Sequence, residues 1–128
     1  MNKVKKQIIY WLPVYIYMIL IFYFSSQSYI AVGGGVGKGI WFMSYIKHFI
    51  EYFILGILVY RGFFNSKFKK GTINLSLIFS GLYSISDEIH QYFVPGRNFS
   101  FFDLGADFFG VIIGIMIISF FYRRIYKF

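Results

Sequence analysis

The sequence predicts an all-α, polytopic membrane protein: a bundle of four transmembrane helices with the N- and C-termini in the cytoplasm. Of its 128 residues 58% are hydrophobic, and the mean hydropathy is +0.62. A water-soluble domain of this size cannot bury so much apolar surface. The apolar residues form four long segments with basic residues clustered at their ends, which is typical of membrane proteins.

Charge and cysteine content exclude other classes. The net charge of +8 would suggest a nucleic-acid partner in a soluble protein. Here the basic residues flank apolar segments, so we expect membrane lipids as partners, no nucleic acid, and a multi-pass location in the cell membrane. The chain has no cysteine, which excludes a disulfide framework and a thiolate metal site.

The first apolar segment predicts a helix over about residues 8–26. It follows the basic residues of the N-terminus, contains Pro13 and ends at the polar residues 25–27. It is too long for a signal peptide, and no small-residue cleavage site follows it. The glycine-rich stretch 32–39 predicts a loop. It lacks the Ser/Thr and the preceding strand that a phosphate-binding loop requires.

Three further helices are predicted over about residues 40–60, 72–92 and 103–122. Lys47, His48 and Glu51 interrupt the first of these, and Pro95 with Gly96 ends the second. With the N-terminus inside, four spans return the C-terminus to the same side. Ten of the 13 basic residues then lie in the cytoplasm, which favours this orientation over its mirror image.

The polar residues converge at one level of the bundle. A helix rises about 1.5 Å per residue through an apolar slab about 30 Å thick. Counted from the cytoplasmic basic residues, all five acids and both histidines lie in the outer half or at its lower limit. Spacings of three and four residues then place three groups on shared helix faces: Lys47, His48 and Glu51; Asp87, His90 and Gln91; Asp103 and Asp107. The sequence therefore predicts one polar site that opens outwards.

Several of these residues also have a structural interpretation. Lys47 and Glu51 are spaced for an ion pair within one helix, because an intramembrane charge needs a partner. Glu88 fits a helix end in headgroup water. Asp103 fits an N-cap, and Arg97 fits an interfacial anchor. Asp107 lies one turn too deep for capping, which favours a functional role.

Carboxylates and imidazole without thiolates suit a hard or borderline divalent cation. Arginine and lysine beside them suit an anionic group, most naturally a phosphate. A phosphoester centre needs both kinds of group. The stretch D-E-I-H-Q is by itself a common pattern, and no H-E-x-x-H motif is present.

Over nearly its whole length the chain resembles the VanZ-like family of small bacterial membrane proteins. The strongest part is the stretch 87–110, D-E-I-H-Q-Y-F-V-P-G-R-N-F-S-F-F-D-L-G-A-D-F-F-G. Supporting parts are Trp11 with Pro13, the S-S-Q end of the first helix, and K-H-F-I-E-Y at 47–52. The resemblance implies a single VanZ-like domain over residues 1–128, and a link to resistance against glycopeptide antibiotics such as teicoplanin. It also implies an intramembrane site for phospholipid or polyprenyl-phosphate carriers.

Three hypotheses follow. The first is an enzyme that acts on a lipid-linked phosphate at the outer leaflet, with a divalent cation as its expected cofactor. The second is a non-catalytic binder or partner subunit that recognises a lipid headgroup or a cell-wall precursor. The third, a small transporter, is disfavoured because no inverted repeat is evident.

For the enzyme, the candidate residues divide by expected role. The catalytic candidates are His48, Glu51, Asp87, His90 and Asp107. The substrate-binding candidates are Lys47, Gln91, Arg97, Ser100 and Gln27. The predicted metal ligands are Asp87, Asp103 and Asp107.

Overall fold

A computed structural model describes residues 1–27 and 38–127. These residues form four α-helices: α1 (Lys3–Ser25), α2 (Lys38–Phe64), α3 (Thr72–Tyr92) and α4 (Phe101–Tyr126). The described part of the chain contains no strand. The all-α class predicted from the sequence is therefore confirmed.

The helix ends differ from the predicted bounds where a side chain caps a helix. α1 begins at Lys3 because the Asn2 side chain accepts a hydrogen bond from the Val4 amide. α4 begins at Phe101 because the Ser100 hydroxyl accepts from the Asp103 amide at 3.2 Å. The interpretation of Asp103 as the N-cap is therefore wrong. Of the predicted loop 32–39, residues 32–37 lie outside the described residues, and the last two belong to α2.

Within residues 1–27 and 38–127, three helical segments are long and apolar enough to cross a membrane: Lys3–Ser25, Phe42–Phe64 and Phe101–Tyr126. α3 does not reach this hydropathy because one side of it is polar. That side is buried and consists of Thr72, Ser76, Ser80, Ser84, Asp87, Glu88 and Gln91. With 21 residues, α3 is nevertheless about 31 Å long. The prediction that α3 also spans the bilayer rests on this length.

Helices α2 and α4 form the centre of the bundle and make its most extensive contact. Glycines allow their backbones to approach closely, as in many membrane helix pairs. A Cβ atom on Gly114 would meet the Phe53 carbonyl oxygen, and one on Gly56 would lie 2.9 Å from the Val111 carbonyl oxygen. This contact fixes how α4 presents its acidic residues to α2.

Helix α1 packs on α2 and α3 at the side of this pair. Trp11 lies over Gly62, where an added Cβ would come within 3.1 Å of the indole, and makes an edge contact with Phe63. The Tyr83 hydroxyl donates to the Met18 carbonyl at 2.5 Å. Most of the remaining α1 surface is exposed and apolar, as expected for a helix that faces lipid.

Candidate functional site

A buried histidine and three acids meet near the beginning of α4. His48 comes from α2, Glu88 from α3, and Asp103 and Asp107 from α4. We call these four residues the histidine–acid cluster. Three of the four are at most 1% exposed, and Asp103 is 8% exposed. Ionisable groups inside a membrane bundle are costly, so four in contact indicate a function or a tightly specified structural network.

The shortest contact in the cluster joins His48 to Asp107. The His48 Nδ1 atom lies 2.8 Å from Asp107 Oδ1. The second carboxylate oxygen, Oδ2, accepts a hydrogen bond from the Ser84 hydroxyl at 2.8 Å. Asp107 therefore connects α2 and α3 through α4, and its two bonds fix the orientation of its carboxylate.

Glu88 also belongs to the cluster. Its Oε2 atom accepts a hydrogen bond from the Ser100 amide at 3.2 Å, and its Oε1 atom lies 4.0 Å from His48 Nδ1. Its side chain is completely buried. The expectation that Glu88 lies in headgroup water is therefore wrong. Helix α3 is covered by its neighbours on the side of Glu88 as well as on that of Asp87.

Asp103 lies on the other edge of the imidazole ring. Its Oδ2 atom is 3.8 Å from His48 Nε2. Within the described residues, its Oδ1 atom is buried and has no hydrogen-bond partner. His48 thus has a carboxylate close to each of its ring nitrogens.

Asp87 is buried beside the cluster but has a different partner. Its Oδ2 atom accepts a hydrogen bond from the Tyr52 hydroxyl at 2.9 Å. Among the described residues, Oδ1 has no hydrogen-bond partner. The sequence groups Asp87 with His90 and Gln91 on one face, but the structure gives these three residues separate partners.

The second histidine lies against α1 instead. His90 Nε2 is 3.0 Å from the Ser26 hydroxyl, and the ring stacks on Phe22 with a centroid distance of 4.2 Å. Within the described residues, every carboxylate within 4.0 Å of a histidine nitrogen faces His48. The catalytic role predicted for His90 stays a prediction.

Polar contacts attach the end of α1 to α3 and to the segment that follows α3. Gln91 donates to the Ser25 hydroxyl at 3.2 Å. The buried Arg97 guanidinium donates to the Ser25 carbonyl at 2.9 Å. Gln27 is exposed and donates to the Tyr23 carbonyl. Arg97 therefore contacts the C-terminal carbonyls of a helix, where a cation is favourable.

Lys47 and Glu51 form the ion pair that their spacing suggested. The Lys47 ammonium lies 3.7 Å from Glu51 Oε1, and the Lys47 side chain is 43% exposed. The ammonium also lies 5.7 Å from the centre of the Phe24 ring. Lys47 is thus a partly exposed cation one residue before His48.

Three residues of the cluster have ligand atoms close enough to hold a metal ion. The atoms come from His48, Glu88 and Asp107, and all lie within 4.8 Å of one another. This set shares Asp107 with the ligands predicted from the sequence, Asp87, Asp103 and Asp107, whose role stays a prediction.

Sequence reasoning missed Ser84 and Tyr52, although the sequence contains a signal for each. Ser76, Ser80 and Ser84 repeat every four residues and so mark one face of α3. Tyr52 lies four residues after His48 and therefore on the same side of α2. Both side chains hydrogen-bond to acids in the site.

A family model described as VanZ/LLP1 matches residues 3–122. The match includes all four helices except the last residues of α4, and every residue of the histidine–acid cluster. Comparison with curated proteins and with solved structures gives no significant match.

Proposed function

Because the chain belongs to the VanZ/LLP1 family, we propose that it is an envelope protein of the bacterial cell membrane that acts on a lipid-linked phosphate. The substrate class is the headgroup of a phospholipid or of a polyprenyl-phosphate carrier. The reaction class is hydrolysis or transfer at the phosphoester. The orientation predicted from the basic residues places the site in the outer half of the bilayer.

The observation that supports this proposal most directly is the environment of His48. Its ring nitrogens have carboxylate oxygens from Glu88, Asp103 and Asp107 within 4.0 Å, and the ring is buried among three helices. A single structural ion pair needs only two residues, whereas four ionisable residues meet here. This larger number favours a catalytic role over a purely structural one.

An imidazole fixed by a carboxylate can serve a phosphoester reaction in two ways. It can transfer a proton to or from the reacting oxygen, or it can hold a cation that stabilises the phosphate charge. Both modes require His48 and Asp107, whose bond sets the orientation of the ring.

Lys47 supplies the positive charge that a phosphate needs. Its side chain is partly exposed, and it precedes His48 on the same helix. A lipid phosphate at this level can replace Glu51 as the ion-pair partner of the Lys47 ammonium. A lipid with its tail beside the bundle would then have its headgroup next to the cluster.

The burial of the histidine–acid cluster favours the second candidate function, a non-catalytic binder or partner subunit. His48 is 1% exposed, and Glu88 and Asp107 are 0% exposed. A headgroup reaches these atoms only if the helix ends separate. A binder needs no such opening if it recognises the headgroup through Lys47 and the end of α1.

A reconstitution experiment distinguishes the two functions. Purified protein in liposomes is incubated with a polyprenyl phosphate or diphosphate, or with phospholipids, and with divalent cations, and the products are measured by mass spectrometry. We expect turnover that falls on the order of 100-fold or more in His48→Ala and Asp107→Asn. Ser119→Ala is the control, because Ser119 donates to the Met116 carbonyl in the other half of α4.

The outcomes distinguish the two functions when each variant elutes like the unchanged protein, because a loss of turnover then does not result from misfolding. Turnover that persists in His48→Ala contradicts the proposed enzyme. Unchanged substrate in every condition, together with headgroup binding that Lys47→Ala weakens, supports the binder.

The link to glycopeptide resistance is a further part of the proposal, and it comes from the family resemblance. Expression in a susceptible host is expected to raise the inhibitory concentration of teicoplanin, and Asp107→Asn is expected to abolish the increase. An unchanged concentration would remove resistance from the proposal and leave the lipid-phosphate reaction in place.

A further inference from the structure

One carboxylate oxygen of Glu88 lies beside the His48–Asp107 pair but has no hydrogen-bond partner among the described residues. The side chain is completely buried, yet within the described residues its Oε1 atom has no hydrogen-bond partner. That atom faces His48 Nδ1 at 4.0 Å. A buried carboxylate oxygen without a partner is costly, and such atoms are rare in folded proteins. A bound group that interacts with Oε1 would remove this cost.

The other oxygens of the two acids are already held. Ser84 donates to Asp107 Oδ2, and the Ser100 amide donates to Glu88 Oε2. These bonds turn Asp107 Oδ1 and Glu88 Oε1 towards the same ring nitrogen, His48 Nδ1. Three donor atoms from three helices therefore converge on one point, each on a side chain that is fully or almost fully buried.

From this geometry we propose that His48 Nδ1, Glu88 Oε1 and Asp107 Oδ1 bind one divalent transition-metal ion. Ligand atoms at about 2.0–2.2 Å from an ion are roughly 3–4 Å from one another. The structure has 2.8 Å and 4.0 Å for the two contacts with Nδ1, and all three atoms lie within 4.8 Å of one another. Shifts of about 1 Å or less would complete the coordination. The ion would replace the proton between His48 and Asp107.

The donor set selects the class of ion. One imidazole nitrogen with two carboxylate oxygens suits Zn²⁺ or Mn²⁺. Mg²⁺ and Ca²⁺ prefer oxygen ligands alone. Asp103 supports the same assignment, since its Oδ2 atom is 3.8 Å from His48 Nε2. A metal-bound histidine usually donates its other ring N–H to a carboxylate, a backbone carbonyl or water, which fixes the tautomer that leaves the first nitrogen free. At 3.8 Å Asp103 is beyond hydrogen-bond distance, and a shift of about 1 Å would bring it into this role.

Three protein ligands leave a coordination position open for a phosphate oxygen or for water. The inference deepens the proposed function and rests on it for the role of the ion in a reaction. Metal binding itself is measured without any lipid substrate, so the two proposals can fail separately.

The test uses the full-length protein in detergent after treatment with a chelator. Zn²⁺ is titrated against a chromophoric competitor, and bound Mn²⁺ is examined by electron spin echo spectroscopy, which detects a coordinated imidazole nitrogen. We expect one Zn²⁺ per chain and the signal of one imidazole. Mg²⁺ and Ca²⁺ are expected to compete poorly.

Variants identify the ligands. We expect His48→Asn and Glu88→Gln to weaken Zn²⁺ binding at least about tenfold, and Ser84→Ala to weaken it about 10- to 100-fold through the orientation of Asp107. The matched controls are His90→Asn and Glu51→Gln, which change the same residue types outside the ligand set. Both controls are expected to bind Zn²⁺ as the unchanged chain does.

Three results would overturn the inference: no stoichiometric binding of Zn²⁺ or Mn²⁺, no imidazole signal from bound Mn²⁺, or equal losses in the controls and the ligand variants. The spectroscopic result comes from the unchanged chain, so it decides the matter even where a variant does not fold. Stoichiometric metal binding without turnover of any lipid phosphate would contradict the proposed reaction alone.

Discussion

At the scale of residues, three of the four buried acids each have their own hydrogen-bond partners. Asp107 bonds to His48 and Ser84, Glu88 to the Ser100 amide, and Asp87 to Tyr52. Lipid offers no hydrogen bonds, so these buried carboxylates depend on groups from neighbouring parts of the chain. The acids therefore attach α3 and α4 to α2 as well as forming the candidate site.

Tyr52 provides a test of this dependence. Tyr52→Phe removes the hydrogen bond to Asp87 Oδ2 and leaves a buried carboxylate whose other oxygen already lacks a partner among the described residues. We expect a loss of about 1–3 kcal/mol in the free energy of unfolding. The measurement is denaturant-induced unfolding in detergent, followed by circular dichroism.

The control for this change is Tyr92→Phe, because Tyr92 is 63% exposed at the end of α3. It is expected to change the unfolding free energy by about 0.5 kcal/mol or less. Equal effects of the two changes would show that the bond to Asp87 contributes nothing specific.

At the scale of elements, the contact between α2 and α4 decides where the acids of α4 lie. Gly110 and Gly114 are buried on α4, and a Cβ on either would meet a backbone carbonyl oxygen of α2. Asp103 and Asp107 continue this stripe at the same spacing, so the glycines set the distance between Asp107 and His48.

Gly114→Ala is therefore expected to be destabilising, although alanine favours helix formation. The added methyl group would overlap the Phe53 carbonyl oxygen, and the two backbones would have to separate. We expect a loss of about 1–3 kcal/mol in unfolding free energy, measured by the same denaturation experiment.

The same helix offers a matched control. Gly105 is exposed, and a Cβ there would meet no atom within 4 Å. Gly105→Ala is expected to stabilise the protein by roughly 0.5–1 kcal/mol, because alanine has less conformational freedom to lose. Stabilisation by both changes would contradict the close contact between α2 and α4.

At the scale of the whole molecule, the orientation in the membrane decides which leaflet the site serves. The basic residues predict that both termini and the α2–α3 turn lie in the cytoplasm. The segment between α3 and α4, which contains Arg97 and Ser100, is then on the outer side.

The absence of cysteine makes this orientation directly testable. Single cysteines replace Asn98, between α3 and α4, and Lys67, between α2 and α3; both positions are exposed. We expect a membrane-impermeant maleimide to label Asn98→Cys in intact cells. Lys67→Cys is expected to react only after the membrane is permeabilised.

The reverse pattern of labelling would place the histidine–acid cluster near the cytoplasmic leaflet. It would thereby exclude an outer-leaflet headgroup as the substrate. Labelling of both positions in intact cells would contradict a bundle in which α3, which lies between the two positions, spans the bilayer.

The family and the helical class were predictable because they depend on local features of the chain. Apolar segments of spanning length, basic flanks and the motifs of the stretch 87–110 can all be read without knowing which helices touch. The level of the acids along the bundle follows in the same way from the rise of a helix. α3 was the weakest element by hydropathy, because its serine face replaces the apolar residues that a span normally contains.

Which polar residues share the site was decided by tertiary structure. Adjacent helix positions differ by about 100° around the axis, so sequence spacing placed Glu88 away from Asp87 and on the outer surface. Neighbouring helices cover α3 on the side of Asp87 and also on the side of Glu88, and Glu88 therefore lies beside His48. His90, although it is on the predicted polar face, lies against Ser26 and Phe22 of α1. Spacing along one helix fixes relative directions, but only the positions of the other helices determine what each direction faces.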